Sequence, residues 1–154
     1  MPLIALSDLP AMPQAPVLLG LDLGSKTIGV AASDRTRVIA SPKTTLKRGK
    51  FSQDAEGIFK LMAEYEAGGL IIGLPLHMNG DMSPRAQSAR SFALNLLKQQ
   101  DMPICLWDER MTSLAADRAM LEADLSRKKR AEHIDAVAAS LILQSALEHL
   151  RGQK

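Results

Sequence analysis

Apolar residues along the chain fall into two kinds of pattern. Short continuous runs bounded by glycine, proline or charged residues predict strands, and apolar residues three or four positions apart predict helices. The predicted strands are residues 17–21, 27–32, 37–46, 70–74 and 103–107. The predicted helices are residues 52–66 with Ser52 as N-cap, a helix opened by Ser83-Pro84, residues 112–125 capped by Thr112, and residues 131–150.

The order of these elements predicts an α/β fold. Three extended segments come first, and helices alternate with strands after them, which is typical of a mixed sheet covered by helices on its faces. Proline within the third segment suits an edge strand or a bulge better than a central strand. Residues 17–150 therefore form a single predicted domain. Residues 1–16 contain four prolines and are predicted to be a flexible tail.

Asp22 lies where the first two predicted strands meet at a glycine turn. The preceding run is apolar, so the carboxylate is expected to be buried, where it needs donors, a basic residue or a cation. Glu109 follows the strand 103–107, and Asp135 lies near the start of the last helix on a face of small residues. Because reactive groups collect at the carboxyl ends of parallel strands, we expect these three acids to converge. Asp108 is the alternative to Glu109, since neighbouring strand residues point to opposite faces.

The acids favour a hard cation. With one cysteine and three histidines in the chain, Mg²⁺ or Mn²⁺ suits them better than zinc. Two such ions about 4 Å apart activate water and stabilise the leaving oxygen in phosphodiester hydrolysis. The segment GLDLGSKT (20–27) is close to a nucleotide phosphate loop, but strand-forming residues follow it where such a loop must open a helix.

The net charge is only +2, yet the basic residues are clustered. The clusters are Lys43, Lys47, Arg48 and Lys50, and then residues 127–130 in a predicted linker. We expect Lys47, Arg48, Lys50 and the second cluster to flank the cleft and bind phosphates. A single cysteine suits a reducing compartment, and no run approaches the roughly 18 apolar residues of a membrane span. A cytoplasmic location is expected.

Four segments carry a family resemblance. They are LGLDLGSKTIGVA (19–31), GLPLHMNG (73–80), DERMTS (108–113) and IDAVAA (134–139). Together they resemble the YqgF-type pre-16S rRNA nuclease family, relatives of Holliday junction resolvases. The resemblance implies an RNase H-like fold with a five-stranded mixed sheet and divalent-metal hydrolysis of nucleic acid. It also implies processing of the 5' end of pre-16S rRNA.

The resemblance places the family's acidic residues on Asp22, Glu109 and Asp135. The basic residues predicted to bind substrate phosphates are Lys26, Arg85, Arg110, Lys128 and Lys129. Two positions depart from the family pattern: Thr27 replaces an arginine, and Asn79 stands where aspartate is common. We therefore place no metal ligand in the loop that contains Asn79.

Three other functions compete with this interpretation. The same acids would serve a Holliday junction resolvase acting on DNA as a symmetric dimer, because they contact only the scissile phosphate. A non-catalytic RNA-binding assembly factor could keep the fold. An actin-like ATP-binding module would need two such domains, and this chain holds one. The oligomeric state, monomer or homodimer, is left open by the sequence.

Overall fold

Five strands form one mixed sheet in the computed structural model, which describes residues 3–11, 13–111 and 127–152. The strands are β1 (Val17–Leu23), β2 (Thr27–Ser33), β3 (Ala40–Lys47), β4 (Ala67–Leu74) and β5 (Ile104–Asp108). Their order across the sheet is β3-β2-β1-β4-β5. The first three strands pair antiparallel, and β4 and β5 continue the sheet in parallel with β1. The predicted fold class is confirmed.

Within the described residues, three helices cover the sheet. They are α1 (Phe51–Glu64), α2 (Pro84–Gln99) and α3 (Arg127–Gly152), and short 3₁₀ turns lie at Leu6–Asp8 and Glu109–Met111. The helix predicted at 112–125 falls outside the described residues. No helix in the described part of the chain is long and apolar enough to cross a membrane.

Alternation along the strands divides the apolar core into two layers. Leu19 and Leu21 of β1 pack with α1 and α2 on one face, whereas Leu18 packs with α3 on the other. Strand side chains alternate between faces, so Asp22 points to the same face as Leu18. The acid and the last helix thus share one side of the sheet.

Glycine allows α3 to lie directly on that side. A methyl group on Gly29 of β2 would lie 1.9 Å from the carbonyl oxygen of Asp135, and one on Gly20 of β1 would lie 2.7 Å from Cβ of Leu143. Only residues without a side chain permit this approach. Gly29 pairs directly with Asp22 across the β1–β2 ladder. The close contact therefore sets Asp135 next to the strand position that carries Asp22.

The edge of the sheet and one helix start follow the sequence. Pro42 lies in the edge strand β3, next to a register shift at Val30 and Ala31, as expected for a proline. The Ser83 hydroxyl accepts a hydrogen bond from the Ala86 N–H at 3.0 Å, and Pro84 occupies the first helical position. This confirms the predicted N-cap.

Several predicted boundaries differ by a few residues, and two of them concern helix starts. Helix α1 begins at Phe51, so Ser52 lies inside its first turn, and the Asp54 carboxylate accepts from the Gly49 N–H at 3.0 Å. Residues 127–130 form the first turn of α3 instead of a linker. Lysine and arginine form helices well without adding any apolar periodicity, which hides such a start from a hydrophobic pattern.

The segment before β1, which is predicted to be a flexible tail, contacts the rest of the domain at several points. Ile4 forms a parallel bridge to Cys105 at the outer edge of β5, and its N–H donates to the Ile104 carbonyl at 3.0 Å. Leu6 is 6% exposed and belongs to the apolar layer under α3. Prolines exclude a helix and a central strand, but they leave room for single bridges and buried side chains between them.

Candidate active site

Asp22 is a nearly buried carboxylate at the end of a central strand. Its residue is 3% exposed, and the turn between β1 and β2 begins two residues later. The apolar run of β1 brings it to this depth. A charge held so far from water needs polar neighbours.

Asp135 lies beside the first residue of β2. The Thr27 hydroxyl donates to Oδ2 of Asp135 at 2.5 Å. Thr27 is the residue that departs from the family pattern, and here it fixes the orientation of a candidate catalytic acid. Sequence reasoning found the departure but not this role, because the two residues are 108 positions apart.

The end of β5 separates two neighbouring acids. Asp108 accepts from Nη2 of Arg110 at 2.7 Å, and this hydrogen bond holds the pKa of Asp108 below its usual value. Glu109 lies across the sheet edge against β4, where a methyl group on Gly73 would be 3.2 Å from its Oε2. The same methyl group would meet Ile142 of α3, so Glu109 lies on the α3 side. The geometry favours Glu109 over Asp108 as the partner of Asp22.

A cavity of about 400 Å³ opens beside the β1–β2 turn. Two acids and two basic side chains line it together with the turn itself. Its lining residues are Asp22, Gly24, Ser25, Lys26, Thr27, Arg85 and Asp135. Basic side chains beside carboxylates in one cavity suit a phosphodiester, whose charge the basic residues offset.

Arg48 supports the turn that carries these residues. Its Nη1 donates to the Gly24 carbonyl at 2.7 Å, and its backbone N–H donates to the Lys26 carbonyl at 2.9 Å. Its Nε lies 3.9 Å from Oδ2 of Asp54, and its guanidinium lies over the ring of Phe92. Arg48 was predicted to bind phosphates, and the structure instead directs its guanidinium into the protein.

The other predicted phosphate-binding residues differ in their surroundings. Lys26 and Arg85 line the cavity, and Nη2 of Arg85 also donates to the Leu23 carbonyl at 3.2 Å. The Arg110 guanidinium is bound to Asp108 and to the Met78 carbonyl. Lys128 and Lys129 lie in the first turn of α3, and their side chains fall outside the described part of the chain.

The three predicted acids are not assembled as a ready-made metal site. Among the described residues, no three acidic, histidine or cysteine side chains form a group that could hold a metal ion. Asp22 and Asp135 share the cavity, whereas Glu109 is not part of its lining. The roles of Asp22, Glu109 and Asp135 as catalytic and metal-binding residues therefore stay a prediction.

A nuclease class follows from these features together. Three antiparallel strands continued by two parallel ones, with Asp22 buried at the end of the central strand and Lys26 and Arg85 lining the same cavity, define an RNase H-like fold of the resolvase type. Similar solved structures share this fold. RuvC of Thermus thermophilus in complex with Holliday junction substrate is 12% identical, with a TM-score of 0.56 over 88% of this chain and 96% of that one. The fowlpox virus Holliday junction resolvase is 14% identical, with a TM-score of 0.50 over 88% and 99%.

Sequence comparisons define the family more narrowly. The RuvX family, described as Holliday junction resolvase, matches residues 16–149. A protein of Rhodobacter capsulatus named "putative pre-16S rRNA nuclease" is 56% identical over 140 residues, 91% of this chain and 88% of that protein. A protein of Paramagnetospirillum magneticum with the same name is 51% identical over 153 residues, 99% of each. The chain belongs to the RuvX family, which confirms the resemblance and the interpretation as a phosphodiester hydrolase.

Proposed function

We propose that this protein is a metal-dependent nuclease that processes the 5' end of pre-16S rRNA during ribosome biogenesis. The names of the close relatives support this substrate. A cytoplasmic location follows from the proposal, because precursor rRNA and assembling ribosomal subunits are its targets. The single cysteine is consistent with a reducing compartment.

The observation that carries the proposal is the shared cavity of Asp22 and Asp135. A residue that is 3% exposed and charged contributes little to solubility, and burial of its carboxylate has a cost. Lys26 and Arg85 line the same cavity as the acid and supply cations for a substrate phosphate. Such an arrangement is favourable for function and unfavourable for stability, as at many active sites.

The donor chemistry of this cavity fits Mg²⁺ or Mn²⁺. Carboxylate oxygens line it, and among the described residues no cysteine or histidine does so. We propose that Asp22, Glu109 and Asp135 are the residues that would hold the cation. A bound divalent cation supplies activated water and stabilises the charge of the leaving oxygen.

The protein's own residues perform the remaining tasks. Lys26 and Arg85 bind the nonbridging oxygens of the scissile phosphate and hold it against the acids. Thr27 keeps Asp135 in one orientation by hydrogen bonding, and Arg48 fixes the turn between Asp22 and Thr27. These contacts of Thr27 and Arg48 keep the reacting groups aligned. Such alignment supplies much of the rate acceleration at sites of this kind.

A Holliday junction resolvase is the second candidate. The fold of its solved neighbours favours it, although a fold alone does not select between RNA and DNA. A resolvase would act as a symmetric homodimer on a two-fold substrate. A non-catalytic RNA-binding assembly factor is the third candidate, and the retained acids argue against it.

One experiment separates the three candidates. A structured RNA carrying a pre-16S 5' region and a four-way DNA junction are incubated side by side with the protein, with and without Mg²⁺ or Mn²⁺. We expect the protein to cleave the RNA only when the metal is present. Size-exclusion chromatography of the same sample gives its oligomeric state, monomer or homodimer. Cleavage of the junction alone would identify a resolvase. RNA binding without cleavage under any metal condition would identify an assembly factor.

A further inference from the structure

A second cavity lies at the opposite end of β1 from Asp22. It has a volume of about 580 Å³ and is formed by the segment before β1, the β2–β3 turn and the end of α3. Its lining residues are Ser7, Leu9, Ala11, Pro16, Arg35, Thr36, Arg37, Leu150 and Arg151. Six residue steps of extended chain from Pro16 to Asp22 separate it from the candidate active site by roughly 20 Å.

Three guanidinium groups give this cavity its charge. Arg35, Arg37 and Arg151 line it, and no carboxylate is among the lining residues. Arg35 forms an ion pair with Glu66 at 3.0 Å, but both side chains are more than half exposed, so this pair is weak and exchangeable. Arginine presents planar pairs of N–H donors that match phosphate oxygens.

Arg37 is held in an unusual state. Its φ is 57°, in the left-handed region that non-glycine residues seldom occupy. Its Nε donates to the Pro16 carbonyl at 2.7 Å and its Nη1 to the Pro10 carbonyl at 2.9 Å. Its Nη2 is buried and finds no acceptor within the described part of the chain. Two backbone carbonyls thus fix the Arg37 guanidinium at the wall of the cavity.

The remaining wall is apolar and formed by Leu9, Ala11, Pro16 and Leu150. A volume of this size lies in the range of cavities that hold small organic groups. Guanidinium groups beside an apolar wall fit a nucleotide, whose phosphate is anionic and whose base has an apolar face. An inorganic anion would use only part of this surface.

We propose that this second cavity binds a phosphate of the RNA substrate, with the attached nucleotide against the apolar wall. The proposal rests on the proposed function, since it takes the ligand to be the same RNA strand that reaches Asp22. It makes the RNA contact the protein at both ends of β1. The cavity then contributes to affinity and orientation and takes no part in bond cleavage.

The test is a salt series of RNA binding without divalent metal. A labelled single-stranded RNA is titrated with wild-type protein, with Arg35→Gln/Arg151→Gln, and with Arg90→Gln/Lys98→Gln as the control. The control removes the same charge from exposed positions on α2. Arg37 is left intact because it anchors the segment before β1. Thermal melts of all three proteins verify that they fold.

We expect the cavity variant to lose affinity and its salt slope to fall by about 0.7 for each phosphate contact removed, relative to the control. Equal slopes for the two variants would overturn the proposal. In parallel, adenosine monophosphate is added and the backbone amide signals of Thr36 and Arg151 are followed by NMR. If the mononucleotide shifts these signals while the salt slope of RNA binding is unchanged by the substitutions, the cavity binds a free nucleotide and the RNA contact is overturned.

Failure of the proposed function gives a different result. Because binding is measured without metal, a protein that cleaves no RNA can still show the lowered slope. Cleavage by the wild type with equal slopes would refute the second cavity alone. A lowered slope without cleavage would refute the nuclease assignment alone.

Discussion

At the scale of single residues, Asp22 and Asp135 place two negative charges in one cavity. Like charges in a partly buried site repel, so neutralising one of them relieves the metal-free protein. We predict that Asp22→Asn abolishes metal-dependent cleavage while the melting temperature of the metal-free protein stays the same or rises. Asp8→Asn is the control, because Asp8 is exposed and is not among the residues that line the cavity of Asp22 and Asp135.

A structural role of Asp22 would give the opposite pattern. If its carboxylate mainly satisfied donors in the turn, its loss would cost about 1 to 3 kcal/mol with or without magnesium. Thermal melts with and without Mg²⁺, combined with a cleavage assay, distinguish the two roles. Marked destabilisation with retained cleavage would remove Asp22 from the catalytic set.

Arg48 provides a second residue-scale prediction, because its contacts are with the turn and not with solvent. Its side chain is 24% exposed, and its partner Asp54 is 4% exposed. Arg48→Met releases the Gly24 carbonyl and shifts the turn, and misplacement of about 1 Å costs on the order of 100-fold in rate. We expect kcat to fall by that order with KM nearly unchanged, and Arg48→Lys to restore part of the rate.

Lys47→Met is the matched control for Arg48, since Lys47 is the exposed neighbour in the same basic cluster. It should weaken RNA binding at low salt and leave kcat unchanged. Steady-state cleavage kinetics measure both variants. A raised KM, a lowered salt slope and an unchanged kcat for Arg48→Met would mean that Arg48 binds phosphate directly.

For individual residues, the sequence predicts those positions that depend on the neighbouring sequence alone. The position of Asp22 follows from an apolar run that ends at a glycine turn, and both features are local. The Thr27 to Asp135 hydrogen bond depends on how α3 lies on β2. The Arg48 to Gly24 contact depends on the pairing of Thr27 with Lys47 between β2 and β3. Neither is encoded in the neighbouring sequence, so both were found only in the structure.

At the scale of elements, the contact between α3 and the sheet has little tolerance. A methyl group on Gly29 would overlap the Asp135 carbonyl oxygen at 1.9 Å, so the helix must move or the strand must bend. Overpacking of this kind costs about 3 kcal/mol and would displace Asp135 from Asp22. We therefore predict that Gly29→Ala loses both stability and cleavage, measured by denaturant unfolding and by the RNA assay.

Gly57→Ala is the control for Gly29, because Gly57 lies inside α1, where a methyl group would meet only Leu46 at 3.4 Å. Replacing glycine by alanine in a helix interior stabilises by about 0.5 to 1 kcal/mol. Opposite signs for the two substitutions support the close approach. Equal effects would show that α3 has room to move from the sheet without loss.

Element types followed from the hydrophobic pattern, and element ends did not. The strands and helices within the described residues are those predicted, because each carries an apolar run or an apolar stripe. The starts of α1 and α3 differ, because the Asp54 to Gly49 bond and the helical first turn at 127–130 involve no apolar residue. Hydrophobic periodicity reports burial, and the terminal turns of a helix, the first as well as the last, are often not buried.

At the scale of the whole molecule, the segment before β1 joins three parts of the fold. Ile4 bridges to β5, Leu6 enters the layer under α3, and the carbonyls of Pro10 and Pro16 accept from Arg37 in the β2–β3 turn. These contacts span the sheet from its outer parallel edge toward its antiparallel half. Proline content indicates where regular structure is excluded, but it does not measure how much surface a segment buries.

Leu6→Ala tests this role without shortening the chain. Leu6 is 6% exposed, and truncation of a buried leucine costs about 2 to 5 kcal/mol, with the lower end expected near a terminus that can adjust. We predict destabilisation by about 2 kcal/mol in denaturant unfolding, and a still larger loss on deletion of residues 1–16, which also removes both acceptors of Arg37. Met78→Ala is the control, because Met78 is 88% exposed and its truncation should change stability by less than about 0.5 kcal/mol. If Leu6→Ala and the deletion both have the same unfolding midpoint as Met78→Ala, the segment is the flexible tail that its prolines predict.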